Sequence, residues 1–244
     1  MANLDQIAMV SALDGVLAVD KPAGIASHDV MREVKRRFNL AKAGHGGTLP
    51  GNVSGLFLVM VGDGTRASDF FMRADSAYEG AMRLGRVTDT ADREGRTLAE
   101  NDFSSVTRES LDAVLPELRG DVFLTEPEFQ SVMLPGRESY EIIGPKDGDP
   151  KPQPKLGHVY RFEVTAFEPP VVRFQAVVAK GTSMRALAAQ LGELLGCGAS
   201  LESLRRTRQG KVDVSEAITF AKLLTSDSSV LLGRVVKPSE LLSR

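Results

Sequence analysis

The sequence has one cysteine, no tryptophan and three histidines in 244 residues. A lone Cys197 excludes an internal disulfide and a cysteine-rich zinc site, and it fits a reducing compartment, the cytoplasm. His28, His45 and His158 lie far apart without ligand spacing, so neither a metal nor another cofactor is expected. No apolar run approaches the ~18 residues that a membrane span needs. The opening MANLDQIAMVSALDG lacks the basic and apolar regions of a signal peptide. Walker A, strand-borne GxGxxG, HExxH and G-x-S-x-G patterns are missing as well. That removes the usual signatures of P-loop NTPases, dinucleotide enzymes, zinc proteases and serine hydrolases. There is no excess of charge of one sign: 30 Lys and Arg stand against 32 Asp and Glu, net -2. Any contact with nucleic acid therefore has to rest on local patches, because phosphates respond to the nearby field rather than to the sum.

What is present is an ordinary globular mixture, 42% hydrophobic and 25% charged, of a length that suits one large domain. GVLAVD, Gly15 to Asp20, reads as a buried strand, followed by a Lys21-Pro22-Ala23-Gly24 turn. Ser27 opens a helix with the apolar stripe Val30, Val34 and Phe38. Its Asp29 and its Lys35, Arg36 and Arg37 are placed as the helix dipole favours. Gly44 to Asn52 is too rich in glycine for regular structure, and Pro50-Gly51 fits the centre of a type II turn. Strands are predicted at Leu56 to Val61 and Tyr78 to Leu84, with a helix at Ala67 to Met72. An amphipathic helix is predicted over Thr107 to Leu118. A hairpin joins Val159–Phe167 to Val171–Ala179 through Glu168-Pro169-Pro170. Further helices are predicted at Met184 to Leu195 and Ser215 to Leu224. Pro145 to Pro154 reads as an exposed loop. Strands and helices mix without strict alternation, which points to α+β.

Two basic clusters stand out: Arg32, Lys35, Arg36, Arg37 and Lys42, then Arg205, Arg206, Arg208 and Lys211. Taken alone, each reads as a solvated helix face. An acid-rich stretch between Glu94 and Glu128 offsets them.

Four blocks then change the weighting. DKPAGIASHDVMREVKRRF with AGHGGTLPGNVSG is similar to DKPxGxTS, a basic helix and GHxGTLDPxxTG. YEGAMRLGRVTDTADREG resembles a tyrosine strand with LGxxTDTxDxxG, and PEFQSVM resembles P-P-x-x-S-A-x-K. KGTSMRALAAQLGELLGCGASLESLRRTRQG resembles KGTYIRxLxxDLGxxLGxxAxxxxLRRxxxG. These blocks, in this order over about residues 15 to 212, resemble the TruB-type pseudouridine synthases. The resemblance implies a pseudouridine synthase fold: α+β, a central mixed or antiparallel sheet, flanking helices and an RNA-binding cleft. It implies a 1–14 extension, a TruB-like domain over 15–224, and a short tail over 225–244 without a complete C-terminal RNA-binding domain.

By the same resemblance, Arg185 matches the basic partner of the nucleophile and Tyr78 the residue that stacks on the flipped base. His45 matches a residue that holds the flipped arm, Leu204 lines the uracil pocket, and Lys21 is a phosphate contact. Lys35, Arg36, Arg37, Lys42, Arg205 and Arg206 are the candidate backbone contacts. The departures cluster at the chemistry. Aligned without a gap, the family's nucleophilic aspartate becomes Pro50, which has neither a carboxylate nor an N–H. Gly51 and Asn52 differ too, Leu134 replaces the lysine, and Ser183 replaces the aromatic of KGTYIR. No catalytic residue is intact at that position, and Asp92, beside Asp89, is the candidate substitute. Arg185, deprived of a carboxylate, is free to hold a phosphate.

Three functions stay open. One is a catalytically impaired synthase homologue that binds a tRNA T-arm or ribosomal RNA hairpin, as an RNA chaperone or ribosome-assembly factor. The second is an active synthase with a substitute carboxylate. The third is a structural subunit of a ribonucleoprotein complex.

Overall fold

A computed structural model describes residues 14–134, 140–146 and 150–243. In chain order the elements are β1 (Gly15–Lys21), α1 (Ser27–Phe38), β2 (Ala43–His45), β3 (Val53–Val61), α2 (Ser68–Met72) and β4 (Ser76–Leu84). Next come β5 (Arg86–Thr88), β6 (Thr97–Glu100), α3 (Arg108–Val114), β7 (Gly120–Leu124), β8 (Gln130–Met133) and β9 (Tyr140–Ile143). The chain continues with β10 (Lys155–Glu168), β11 (Val171–Val178), α4 (Met184–Leu194), β12 (Ala199–Gln209), β13 (Val212–Asp213), β14 (Ile218–Thr219) and α5 (Phe220–Thr225). Two short helices, α6 (Ser228–Leu232) and α7 (Pro238–Ser243), follow. The α+β class and the mixed sheet with flanking helices are as the sequence implies. The anticipated 1–14 extension lies outside the described residues apart from Asp14, as do 147–149 of the anticipated 145–154 loop.

The chain divides into two compact units. Among the described residues, the first holds 14–74 and 206–243. Here β1 runs antiparallel to β3, from Gly15 opposite Val61 to Lys21 opposite Gly55, and parallel to β14 at Val19 and Asp20. Both β1 and β3 are apolar almost throughout and almost wholly buried, as strands covered on both faces must be. Helix α1 buries Val30, Val34 and Phe38 at four-residue intervals, and Asn39 closes it in the left-handed region at φ 48. Val16, Leu56, Leu58, Met60, Phe71 and Val212 belong to one buried apolar cluster of this unit.

The second unit covers 75–134 and 140–205. Strands β4, β11, β10 and β7 form an antiparallel ladder, in which Tyr78 lies opposite Ala176 and Glu168 opposite Val171 at the anticipated hairpin. Helix α4 buries Leu187, Ala188 and Leu191 in a core with Met82, Leu111, Phe162 and Phe174. The Phe162 and Phe174 rings stack at 5.2 Å.

Three local readings are corrected. The stretch 215–224 is not one helix: a 3-10 turn at Val214–Glu216 gives way to a strand where Ile218 pairs with Val19, and the α-helix starts at Phe220, where the Thr219 hydroxyl accepts the Lys222 N–H. The Val53 N–H donates to the Pro50 carbonyl at 3.0 Å, which makes Pro50 the first residue of its turn rather than the second. Gly51, now the second, has no positive φ, so the turn is not type II about Pro50-Gly51. The second basic cluster lies on β12 and the turn after it, not on a helix face.

Candidate functional site

The candidate residues fall into two sets, one in each unit. In the first unit they gather on the 45–53 loop and its supports. The Ser27 hydroxyl donates to the Leu49 carbonyl at 2.7 Å, and the Leu49 N–H donates back to it at 3.1 Å. Gly24 N–H donates to the Gly51 carbonyl at 2.8 Å. Leu49, Gly51 and Val53 are buried, so the turn has one exposed knuckle, Pro50. Lys21 is fully buried beneath it. Its ammonium donates to the carbonyls of Pro22 at 3.0 Å, Ile25 at 2.8 Å and Gly51 at 3.3 Å. Burial, with the Arg206 charge as a second cause, lowers its pKa to about 8.

His45 is half-buried at the end of β2, and its Nδ1 accepts the Gly47 N–H at 3.2 Å. That bond assigns the ring proton to Nε2. Burial first, and the Arg206 charge second, hold its pKa below the ordinary histidine value, so the ring is neutral at pH 7. Arg206 is 4% exposed, in contrast to the surface position expected of a phosphate contact. Its Nε donates to the Leu56 carbonyl at 2.9 Å and a terminal nitrogen to the Gly47 carbonyl at 3.3 Å. The reason is the two-residue period of a strand: neighbours on β12 face opposite ways, so Arg205 and Arg206 cannot share a surface.

The first basic cluster does lie on the surface, yet it is largely paired along α1. Arg32 meets Asp29 at 2.6 Å, Arg36 grips Glu33 through two bonds, and half-buried Arg37 joins Glu33 and the Ser226 carbonyl. Lys35 and Lys42 are exposed.

In the second unit, Tyr78 and Leu204 are half-buried and pack at the margin of the core. Arg205 stands 3.6 Å from Glu79. Arg185, at the start of α4, donates to the carbonyls of Thr90 at 3.1 Å and Phe129 at 3.4 Å. It also faces the Glu126 carboxylate at 3.4 Å. Sequence reasoning misses Glu126, and the picture of an arginine without a carboxylate is corrected accordingly. Asp92 is 2% exposed. One of its oxygens accepts from the Thr90 hydroxyl at 2.7 Å and Glu94 N–H at 3.1 Å, and the other from the Ser131 hydroxyl at 2.8 Å. Asp89 is fastened in the same way by the backbone and guanidinium of Arg96. Both aspartates are buried and fix the 88–96 loop through these hydrogen bonds. A mainly apolar cavity of about 440 Å³ adjoins that loop, with Leu98, Pro127, Phe129 and Ala189 among its walls. Among the described residues no group of His, Cys, Asp and Glu could hold a metal, and no helix is long and apolar enough to cross a membrane.

The arrangement has counterparts among known proteins. The fold is similar to that of the archaeal box H/ACA Nop10–Cbf5 complex, at TM-score 0.69 and 26% identity over 96% of this chain. It is also similar to an H/ACA RNP bound to a substrate RNA containing 2'-deoxyuridine, at TM-score 0.67 and 26% identity over 96% of this chain. The chain spans 62% of the length of each of those two chains. Such a fold defines the class, the pseudouridine synthases. Residues 35–184 match the TruB family pseudouridylate synthase N-terminal domain, and residues 185–243 match the tRNA pseudouridylate synthase B C-terminal domain. The tRNA pseudouridine synthase B of Opitutus terrae is 36% identical over 85% of this chain and 86% of its own length. That of Stutzerimonas stutzeri is 36% identical over 86% of this chain and 68% of its own. The chain belongs to the TruB family of pseudouridylate synthases.

Proposed function

We propose that this protein binds structured RNA, a tRNA T-arm or a ribosomal RNA hairpin, through residues 15–224, and that its isomerase activity is weak or absent. In this reading it works in the cytoplasm as an RNA chaperone or a ribosome-assembly factor. One observation carries the second half. The turn at the position aligned with the family nucleophile is pinned by Ser27, Gly24 and Lys21, and its exposed residue is Pro50. The candidate replacements, Asp89 and Asp92, are buried and engaged. The RNA half is supported by relatives named for tRNA pseudouridylation and by the similar fold that holds a substrate RNA. It is supported too by half-buried Tyr78, whose ring suits stacking on a base.

The test is mass-spectrometric detection of pseudouridine on unmodified tRNA, with T-arm binding measured at several salt concentrations. The expected result is salt-dependent binding with little or no product. Pseudouridine at the T-loop at ordinary enzyme concentration sinks the claim of impaired chemistry. Affinity no better than for random duplex sinks the claim of RNA binding.

A second reading, a structural subunit of a ribonucleoprotein, draws on the similar Cbf5 folds having been solved within protein and RNA assemblies. Elution as a free monomer from a native lysate would count against it.

A further inference from the structure

We propose that Arg206 and Gln209 are positioning residues that hold the 45–47 segment so that His45 keeps its proton on Nε2 and turns that N–H toward a bound RNA. The direction of the N–H toward RNA rests on the RNA-binding reading above; the bracket itself does not.

The segment has few ways to be held. Gly46 and Gly47 carry no side chains, and Gly47 has φ +124, in the left-handed region. The support comes from β12. Arg206 takes the Gly47 carbonyl and, through Nε, the Leu56 carbonyl on β3. The Gln209 amide donates to the Gly46 carbonyl and, at 2.8 Å, to the Phe71 carbonyl. Gly46 N–H donates to Leu58 at 3.0 Å. With its carbonyl and those of its neighbour taken, the peptide can turn only one way, and the Gly47 N–H then points at His45 Nδ1, 3.2 Å away.

The glycines make the bracket fit. A Cβ on Gly46 would come within 2.7 Å of Met60 Cε and 2.8 Å of Phe71 Cβ. A Cβ on Gly55 would come within 2.2 Å of the Arg206 carbonyl. Arg206 and Gln209 are 4% and 2% exposed, so neither is a surface RNA contact. They act through His45 rather than by touching RNA.

Nitrogen NMR of the imidazoles reads this directly, and with three histidines in the chain His45→Gln assigns the signal. In the native protein, His45 is expected as the Nε2–H tautomer with a hydrogen-bonded Nδ1. Finding the proton on Nδ1 overturns the proposal without any variant. In Arg206→Gln and Gln209→Met, the Nδ1 bond signature should average out. Arg206→Gln should also raise the titration midpoint of His45 by removing the neighbouring charge. Arg206→Lys keeps the charge but not the two-carbonyl fork, and should disturb the tautomer while leaving the midpoint low. T-arm RNA affinity should fall about tenfold in the first two variants, the scale of one well-placed hydrogen bond. Folded variants with native imidazole shifts overturn the proposal. If the native chain binds no T-arm RNA, the RNA reading fails by itself, and the imidazole shifts still decide for or against the bracket.

Discussion

The Lys21 ammonium reaches the Gly51 carbonyl at 3.3 Å across 30 residues of sequence. One buried side chain thereby ties the turn after β1 to the turn that bears Pro50. Its folded-state pKa of about 8 lies below the ordinary value of 10.5. Between those two values the unfolded chain holds the proton and the folded chain has released it. Folding stability must therefore rise as the pH climbs from about 8 to about 10.5, by up to on the order of 3 kcal/mol. Denaturant titrations across that window should show the rise in the native protein and lose it in Lys21→Met. Amide exchange at Gly24 and Val53 should quicken in the variant, because their turns lose a common tether.

Pro50→Asp should fold as well as the native chain, within about 0.5 kcal/mol, since the residue is exposed and aspartate favours the first position of a turn. Its pseudouridine output should stay at background, because Leu134 and Ser183 also depart from the family pattern. A clear gain of product would identify the missing carboxylate as the sole defect.

Asp92→Ala should destabilise the protein by roughly 2–4 kcal/mol, because the hydroxyls of Thr90 and Ser131 and the Glu94 N–H lose a buried acceptor. Asp92→Asn, which keeps an acceptor oxygen, should lose less. A variant of native stability that had lost all residual product would instead make Asp92 the nucleophile.

Salt dependence should separate the basic residues. Lys35→Gln and Lys42→Gln should each lower the slope of log affinity against log salt by about 1 if that lysine meets a phosphate. Arg206→Gln should weaken binding with its slope unchanged, because the guanidinium is enclosed by backbone carbonyls. An equal slope change in Arg206→Gln would place that guanidinium on the RNA.

The parts of the fold that read correctly from sequence are those with a local periodicity. Val30, Val34 and Phe38 announce α1, and Leu187, Ala188 and Leu191 announce α4. The unbroken apolar run of β3 and the Pro-Pro corner between β10 and β11 are equally plain. What was illegible depends on distant partners. Nothing in LESLRRTRQ separates a basic helix face from a strand, and the error moves Arg206 from outside to inside. The engagement of the second Asp92 oxygen is hidden because its donor, Ser131, lies 39 positions away. Glu126 beside Arg185 was hidden for the same reason, at a separation of 59. Ser27 does open α1, but its hydroxyl serves Leu49 rather than the helix, and the capping position falls to Ala26.

The enclosed amine of Lys21 also gives the protein a built-in clock. An acylating reagent cannot reach that nitrogen while three carbonyls and the overlying turn cover it. Once uncovered, a lysine recovers ordinary reactivity and is modified irreversibly. The slow labelling of this one amine, followed by peptide mass, would count the openings of the Pro50 turn, and slower labelling with RNA present would show that a ligand holds it shut.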